Sequence, residues 1–312
     1  LTPLAALILL LSSAVYFFGD SSSSGANQIA LFMAGVVAIL IGLKNGHRWS
    51  EISTAIQDGI AMTAGAIIIL LAVGALIGTW LLSGTVASMI YYGLKILDPG
   101  IFYAASCVIC AIVSLSIGSS WTVAGTIGVG LIGVSSGLGL SPEITAGAII
   151  SGAYFGDKMS PLSDTTNLAP AIAGSELFEH IRHMMWTTIP SLALAIIIFV
   201  VIGYFSPPGD SDATMAETLT ILEANFNIGL HLLIPIAITL LLAVKKVPAF
   251  LAIFISALIG GLFAALFQPD LIIKFVNRPE LSSGLAYIVG VWTALFDGFH
   301  IATGSARIDD LL

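Results

Sequence analysis

The chain has 312 residues, of which 57% are hydrophobic and only 9% charged, with a formal net charge of −8 and a mean hydropathy of +1.04. A soluble domain carries about 25% charged residues, so this composition excludes one and reads as an all-α polytopic membrane protein. The acidic balance, with no basic patch, excludes nucleic acid as a partner and leaves the lipid bilayer as the surroundings.

The chain opens at Leu1 inside an apolar run, without an initiator Met or a visible cleavable signal pattern, which leaves a longer N-terminus open. Residues 2–18 form a short span and 20–27 a Ser-rich acidic turn. Residues 29–43 make a second span, ending in Lys44-Asn45-Gly46-His47-Arg48-Trp49. Residues 51–58 read as a short amphipathic lead-in to a third span over 60–82. The stretch 85–97, with Tyr91, Tyr92 and Lys95, is interfacial or re-entrant, and Asp98-Pro99-Gly100 turns the chain. Two spans follow, 101–116 and 123–140, on either side of Gly118-Ser119-Ser120-Trp121-Thr122. Cys107 and Cys110 lie in the first of them, where neither a redox nor a zinc role is expected.

Residues 144–155 run into a polar centre. Beyond it, 176–186 reads as a helix on the cytoplasmic surface with His180, Arg182 and His183, and 187–205 spans again. Residues 206–217 form an acidic loop, and 217–226 a short amphipathic piece. Spans 228–244 and 247–267 are joined by Lys245-Lys246, 268–281 is a mixed-charge loop, and 284–296 begins another hydrophobic element. Lys44 with Arg48, Lys158 with Arg182, and Lys245 with Lys246 fall on one side under this span count. The positive-inside rule then puts the N-terminus and the basic loops in the cytoplasm.

A weak internal repeat is visible. Residues 29–44 resemble 228–245, and Asp58-Gly59 resembles Asp297-Gly298 before Ala302-Thr303-Gly304-Ser305. On that reading, residues 1–227 form a first transmembrane repeat and 228–312 the start of a second, incomplete one. Asp58 and Asp297 are either further intramembrane acids or helix N-caps beside their glycines.

The polar centre is Gly156-Asp157-Lys158-Met159-Ser160-Pro161-Leu162-Ser163-Asp164-Thr165-Thr166-Asn167-Leu168-Ala169-Pro170. Asp157 and Asp164 would share one face of a continuous helix, but Pro161 removes an amide donor and argues against continuity. The stretch 156–170 is therefore read as an unwound segment or hairpin tip at membrane depth, sustainable only where it is buried in protein or lines a watery cavity. A charge there costs about 2.5–3.5 kcal/mol on insertion scales, so the cluster reads as an ion site rather than a polar loop. Lys158 is either a neutralising partner of Asp157 or a mark of the cytoplasmic rim. A second cluster, Gly118 to Thr122, has hydroxyls at a helix break that can replace the water shell of Na+. The glycines at 130, 133 and 137 belong to a packing seam.

The run from Gly156 to Asn167 resembles the signature of the NhaC-type Na+/H+ antiporters. Ser116-Ile117-Gly118-Ser119-Ser120-Trp121 is similar to that family's other Ser/Thr–Gly–Trp element, and Asp297-Gly298 with Thr303-Gly304 to a later one. The resemblance implies an inverted-repeat ion-transporter architecture with broken helices or re-entrant hairpins, a prokaryotic inner-membrane location, and a chain that stops inside its second repeat. It also implies Na+ or Li+ exchange for H+, with no resident cofactor. The family includes organic-acid exchangers of the malate/lactate type, and an amino-acid antiporter is a further alternative.

The expected mechanism has Asp157 and Asp164 holding either Na+ or protons, with neutral oxygens from Ser160, Ser163, Thr165, Thr166 and Asn167. Ser119, Ser120 and Thr122 approach from the other broken element. A homodimer is left open. No enzymatic role is expected: an intramembrane aspartyl protease needs Gly-x-Gly-Asp, and Tyr154 stands where its first Gly should be. A passive channel would have no use for paired titratable carboxylates.

Overall fold

The computed structural model describes residues 1–205 and 211–300; Asp20, Met62, Asp164 and a few others are described by backbone alone. The described residues are almost entirely helical, in two compact units, Leu1–Ile67 and Ile68–Leu312. In the first, α1 (Thr2–Phe18) and α2 (Ala26–Lys44) pack on one another, burying Ala14, Ala30 and Ala34 and leaving large apolar side chains outward. That pattern suits helices solvated by lipid rather than by water. The unit boundary falls inside α3 (Trp49–Leu82), one helix of 34 residues where a lead-in and a separate span were expected. Asp58 lies exposed within it and caps nothing.

The second unit is built on α5 (Phe102–Ile117) and α8 (Pro142–Met159). A Cβ on Gly152 would stand 2.0 Å from the Cys107 carbonyl oxygen, and one on Gly156 2.4 Å from the Leu115 nitrogen. Two helix backbones touch here because the facing residues have almost no side chain. Ser114 Oγ adds a 2.6 Å hydrogen bond to the Ala153 carbonyl across the same seam. Between these helices run α6 (Ser120–Val123), a π-turn at Ala124–Gly128, and α7 (Val129–Gly137), so the expected span 123–140 is a helix with a bulge. On α7, α4 (Thr85–Ile96) packs with Val86, Ala87, Ile90 and Leu94 buried.

α9 (Asp164–Ala173) leads to α10 (Leu177–Phe205), which flanks α5 and α8. α10 is continuous through Pro190, so the surface helix and the span expected on either side of residue 187 are one element. α11 (Ser211–Asn225) replaces part of the expected acidic loop; residues 206–210 lie outside the described ones. A turn at Leu230–Leu233 and α12 (Ile234–Val244) follow, and the segments Met215–Asn225 and Leu230–Val244 meet at 92°. After α13 (Ala249–Phe267), the expected loop at 268–281 is partly α14 (Pro269–Val276). Pro269 starts it, and Leu271 and Ile272 bury its apolar side. α15 (Ser283–Phe296) ends with Asp297 at its C-cap, so of the two roles left open for this acid the N-cap is not the one it takes.

Among the described residues, five helical segments are long and apolar enough to cross a membrane, or six if the bent pair makes one span. The chain is an all-α polytopic membrane protein.

Candidate ion-binding site

Two helices break in the second unit, and the breaks meet. α5 stops at Ile117 because Gly118 enters the left-handed region, at φ 77°. Ser119 is extended and N-caps α6: its Oγ accepts from the Thr122 amide at 3.3 Å and from Thr122 Oγ1 at 2.9 Å. α8 stops at Met159, Pro161 and Leu162 turn, and Ser163 N-caps α9 through the Thr166 amide. Thr165 Oγ1 lies 2.9 Å from Ser163 Oγ. A Cβ on Gly118 would lie 2.7 Å from the Leu162 carbonyl carbon and the Ser163 nitrogen, so one break sits directly on the other.

The second break is shorter than the sequence implies. α8 carries Gly156, Asp157 and Lys158 in helical form, and only residues 160–163 are unwound. The seam with α5 keeps this end of α8 helical, and side chains close it. Thr166 Oγ1 donates to the Asp157 and Lys158 carbonyls, each at 3.0 Å. Asn167 Nδ2 donates to the Pro161 and Ser163 carbonyls at 2.8 and 2.7 Å. The buried Ser160 Oγ accepts from the Leu162 amide at 3.2 Å.

Asp157 is half-buried, and Ser120 Oγ donates to its Oδ2 at 2.8 Å, from α6 to α8 across the crossing. The carboxylate borders two cavities. One, of about 260 Å³, is also lined by Ser119, Thr122, Ser163 and Lys246. The other, of about 480 Å³, is lined by Ser120, Thr166, Lys158, His180 and Met184. Trp121 and Thr165 border both, as Asp157 does.

Seven of the ten expected ligating residues are thus gathered at one place: Asp157, Ser119, Ser120, Thr122, Ser163, Thr165 and Thr166. Ser160 and Asn167 line neither cavity; their polar atoms hold the break. Asp164 takes the first position of α9, and its side chain lies outside the described residues. Lys158 is exposed and forms no ion pair with Asp157; among the described residues the one ion pair is His47 with Glu51. Thr303 and Gly304, expected from the later family element, also lie outside the described residues. Sequence reasoning missed Trp121 and Lys246 as cavity residues. Trp121 lay inside the second polar cluster, whereas Lys246 looked like a loop charge. Its left-handed backbone, φ 60° without a glycine, has no sequence signal.

Residues 152–277, which hold the C-terminal part of α8, both sides of its break and the turn bearing Lys246, match the family model described as the Na+/H+ antiporter family. Three relatives agree with it. The Na+/H+ antiporter NhaC of Alkalihalophilus pseudofirmus is 37% identical over 91% of this chain and 58% of its own length. An uncharacterized Na+/H+ antiporter of Haemophilus influenzae is 42% identical over 79% of this chain and 53% of its own. The malate-2H+/Na+-lactate antiporter of Bacillus subtilis is 40% identical over 77% of this chain and 52% of its own. The chain belongs to the Na+/H+ antiporter family. As a member of this transporter family, it is a multi-pass protein of a prokaryotic plasma membrane. It spans about half the length of these antiporters. No solved structure matches it.

Proposed function

We propose that this antiporter-family chain exchanges Na+ or Li+ for H+, with the Asp157 carboxylate as the group for which the two cations compete. The observation that carries the reading is the place of that carboxylate: it is held by Ser120 where two helix breaks cross, and it borders two cavities. One negative charge is neutralised by one proton or one Na+, and occupation by either displaces the other. Ser119, Thr122, Ser163 and Thr165 offer hydroxyl oxygens beside the carboxylate, the kind of donor that replaces a sodium ion's water. Facing two cavities, the same oxygens can be reached by two routes, which is what alternating access requires. Asp164, at the start of α9, belongs to the same reading as a second acid. So does the division into a first repeat at 1–227 and an incomplete second at 228–312. On this reading the chain catalyses no covalent chemistry and needs no resident cofactor.

One observation favours a second reading. Lys246 lines the smaller cavity with Asp157, and an ammonium group there fits a carboxylate cargo moving with Na+. The malate/lactate antiporter among the relatives carries such a cargo by its name. Both readings are tested by dye-monitored proton flux in proteoliposomes holding this chain, with Na+, Li+, K+ and malate/lactate applied separately. Na+ or Li+ alone should collapse a pre-set pH gradient, and Asp157→Asn should abolish the effect while its thermal unfolding midpoint stays in place. Na+-dependent flux through Asp157→Asn would overturn the role of Asp157. Flux only when malate or lactate is added would favour the carboxylate reading.

A further inference from the structure

We propose that Trp121 is the partition that couples the two ions, keeping the two cavities beside Asp157 from merging. This inference rests on the exchange reading and adds a positioning residue to it. Three residues border both cavities: Asp157, Thr165 and Trp121. Asp157 is the binding group and Thr165 is small, so the indole is the bulk between the spaces. Indole suits this place because it is large and flat, with an apolar body and one polar edge. It is 44% exposed, as a side chain lying between two openings would be.

The backbone beneath it is built differently from the rest of the bundle. Trp121 sits on a four-residue helix between the N-cap Ser119 and the π-turn Ala124–Gly128. Single π-turns are wide points in a helix and occur often at functional sites. Ser120, which holds Asp157, and Thr122, which holds Ser119, flank Trp121 on either side. A change in the α6 backbone therefore moves the partition and the carboxylate's hydroxyl partner together. Binding at Asp157 and the side from which it is reached are linked through three consecutive residues. Without the indole, the two cavities that Asp157 borders merge into one passage, and a bound cation leaves by either end. Exchange then becomes leak.

The test is ion flux in proteoliposomes, read as two components: the proton flux that requires Na+, and the proton and 22Na+ fluxes that run without a counter-ion. In Trp121→Ala the uncoupled components should rise severalfold while the Na+ concentration for half-maximal effect stays near wild type, since Asp157 and Ser120 are untouched. Trp121→Phe should restore coupling, because a second aromatic ring fills most of the partition. Trp121→Leu, folded by its thermal midpoint, should leak like the alanine variant and serves if that one does not assemble. Tightly coupled exchange in either small variant overturns the partition. Absence of Na+-dependent flux in the wild-type chain would instead overturn the exchange reading on which it rests, so the two failures are told apart.

Discussion

The two helix breaks that cross at the site are held by opposite means. At 118–119 the chain breaks over two residues because one has no side chain: Gly118 is left-handed, and the backbone of Leu162 and Ser163 occupies the space of its missing Cβ. At 160–163 no residue is left-handed, and side chains do the holding, with Thr166, Asn167 and Ser160 bonded to backbone groups of the gap. The first break is a steric fit and admits no variation. The second is a hydrogen-bonded lacing, in which each strand carries a share. The hydroxyl residues that line the cavities with Asp157 come from both, so the site draws on one wall fixed by sterics and one held by side-chain hydrogen bonds.

Three substitutions bear on that contrast, in falling order of effect. Gly118→Ala combines about 1–2 kcal/mol for left-handed backbone with about 1–3 kcal/mol for overpacking against Leu162. It should lower the thermal unfolding midpoint in detergent more than any other single change at the crossing, and a wild-type midpoint would break the distinction. Asn167→Ala removes two hydrogen bonds, each with a net value of about 0.5–1.5 kcal/mol. Here the lacing should loosen locally: amides over 160–167 should exchange faster with deuterium while those of 117–123 keep their protection. Equal loss at both breaks would mean that they act as one unit. Ser160→Ala removes one long acceptor contact to the half-buried Leu162 amide, so the cost should be about 0.5 kcal/mol. A midpoint loss rivalling that of Gly118→Ala would put the second break, too, among the steric ones.

Much of the site was legible as composition. Gly118 and Pro161 marked where helices end, and the hydroxyls beside them marked where polar groups gather. What composition misjudged was extent. Gly156 opened the stretch read as unwound, yet like Gly152 it lies against the α5 backbone, and the helix runs on through Asp157 to Met159. The helical spacing of Asp157 and Asp164 lost its meaning once residues 160–163 unwound between them. Asn167 and Ser160 carry the right atoms for an ion but spend them on backbone, a choice made only when the gap closes. α14 was hidden because its charges masked an apolar side that pays its way only against α15.

By itself the sequence determined the membrane class, the positions of the two breaks and the residue types collected around them. These follow from hydropathy and from backbone sterics, which act within a turn or two of chain. Tertiary structure alone decided that Ser120 is the partner of Asp157, 37 positions away, and that the carboxylate borders two cavities whose linings share Trp121. Side chains that far apart in sequence meet only where two helices pack, and here that packing depends on glycines whose missing side chains let backbone touch backbone.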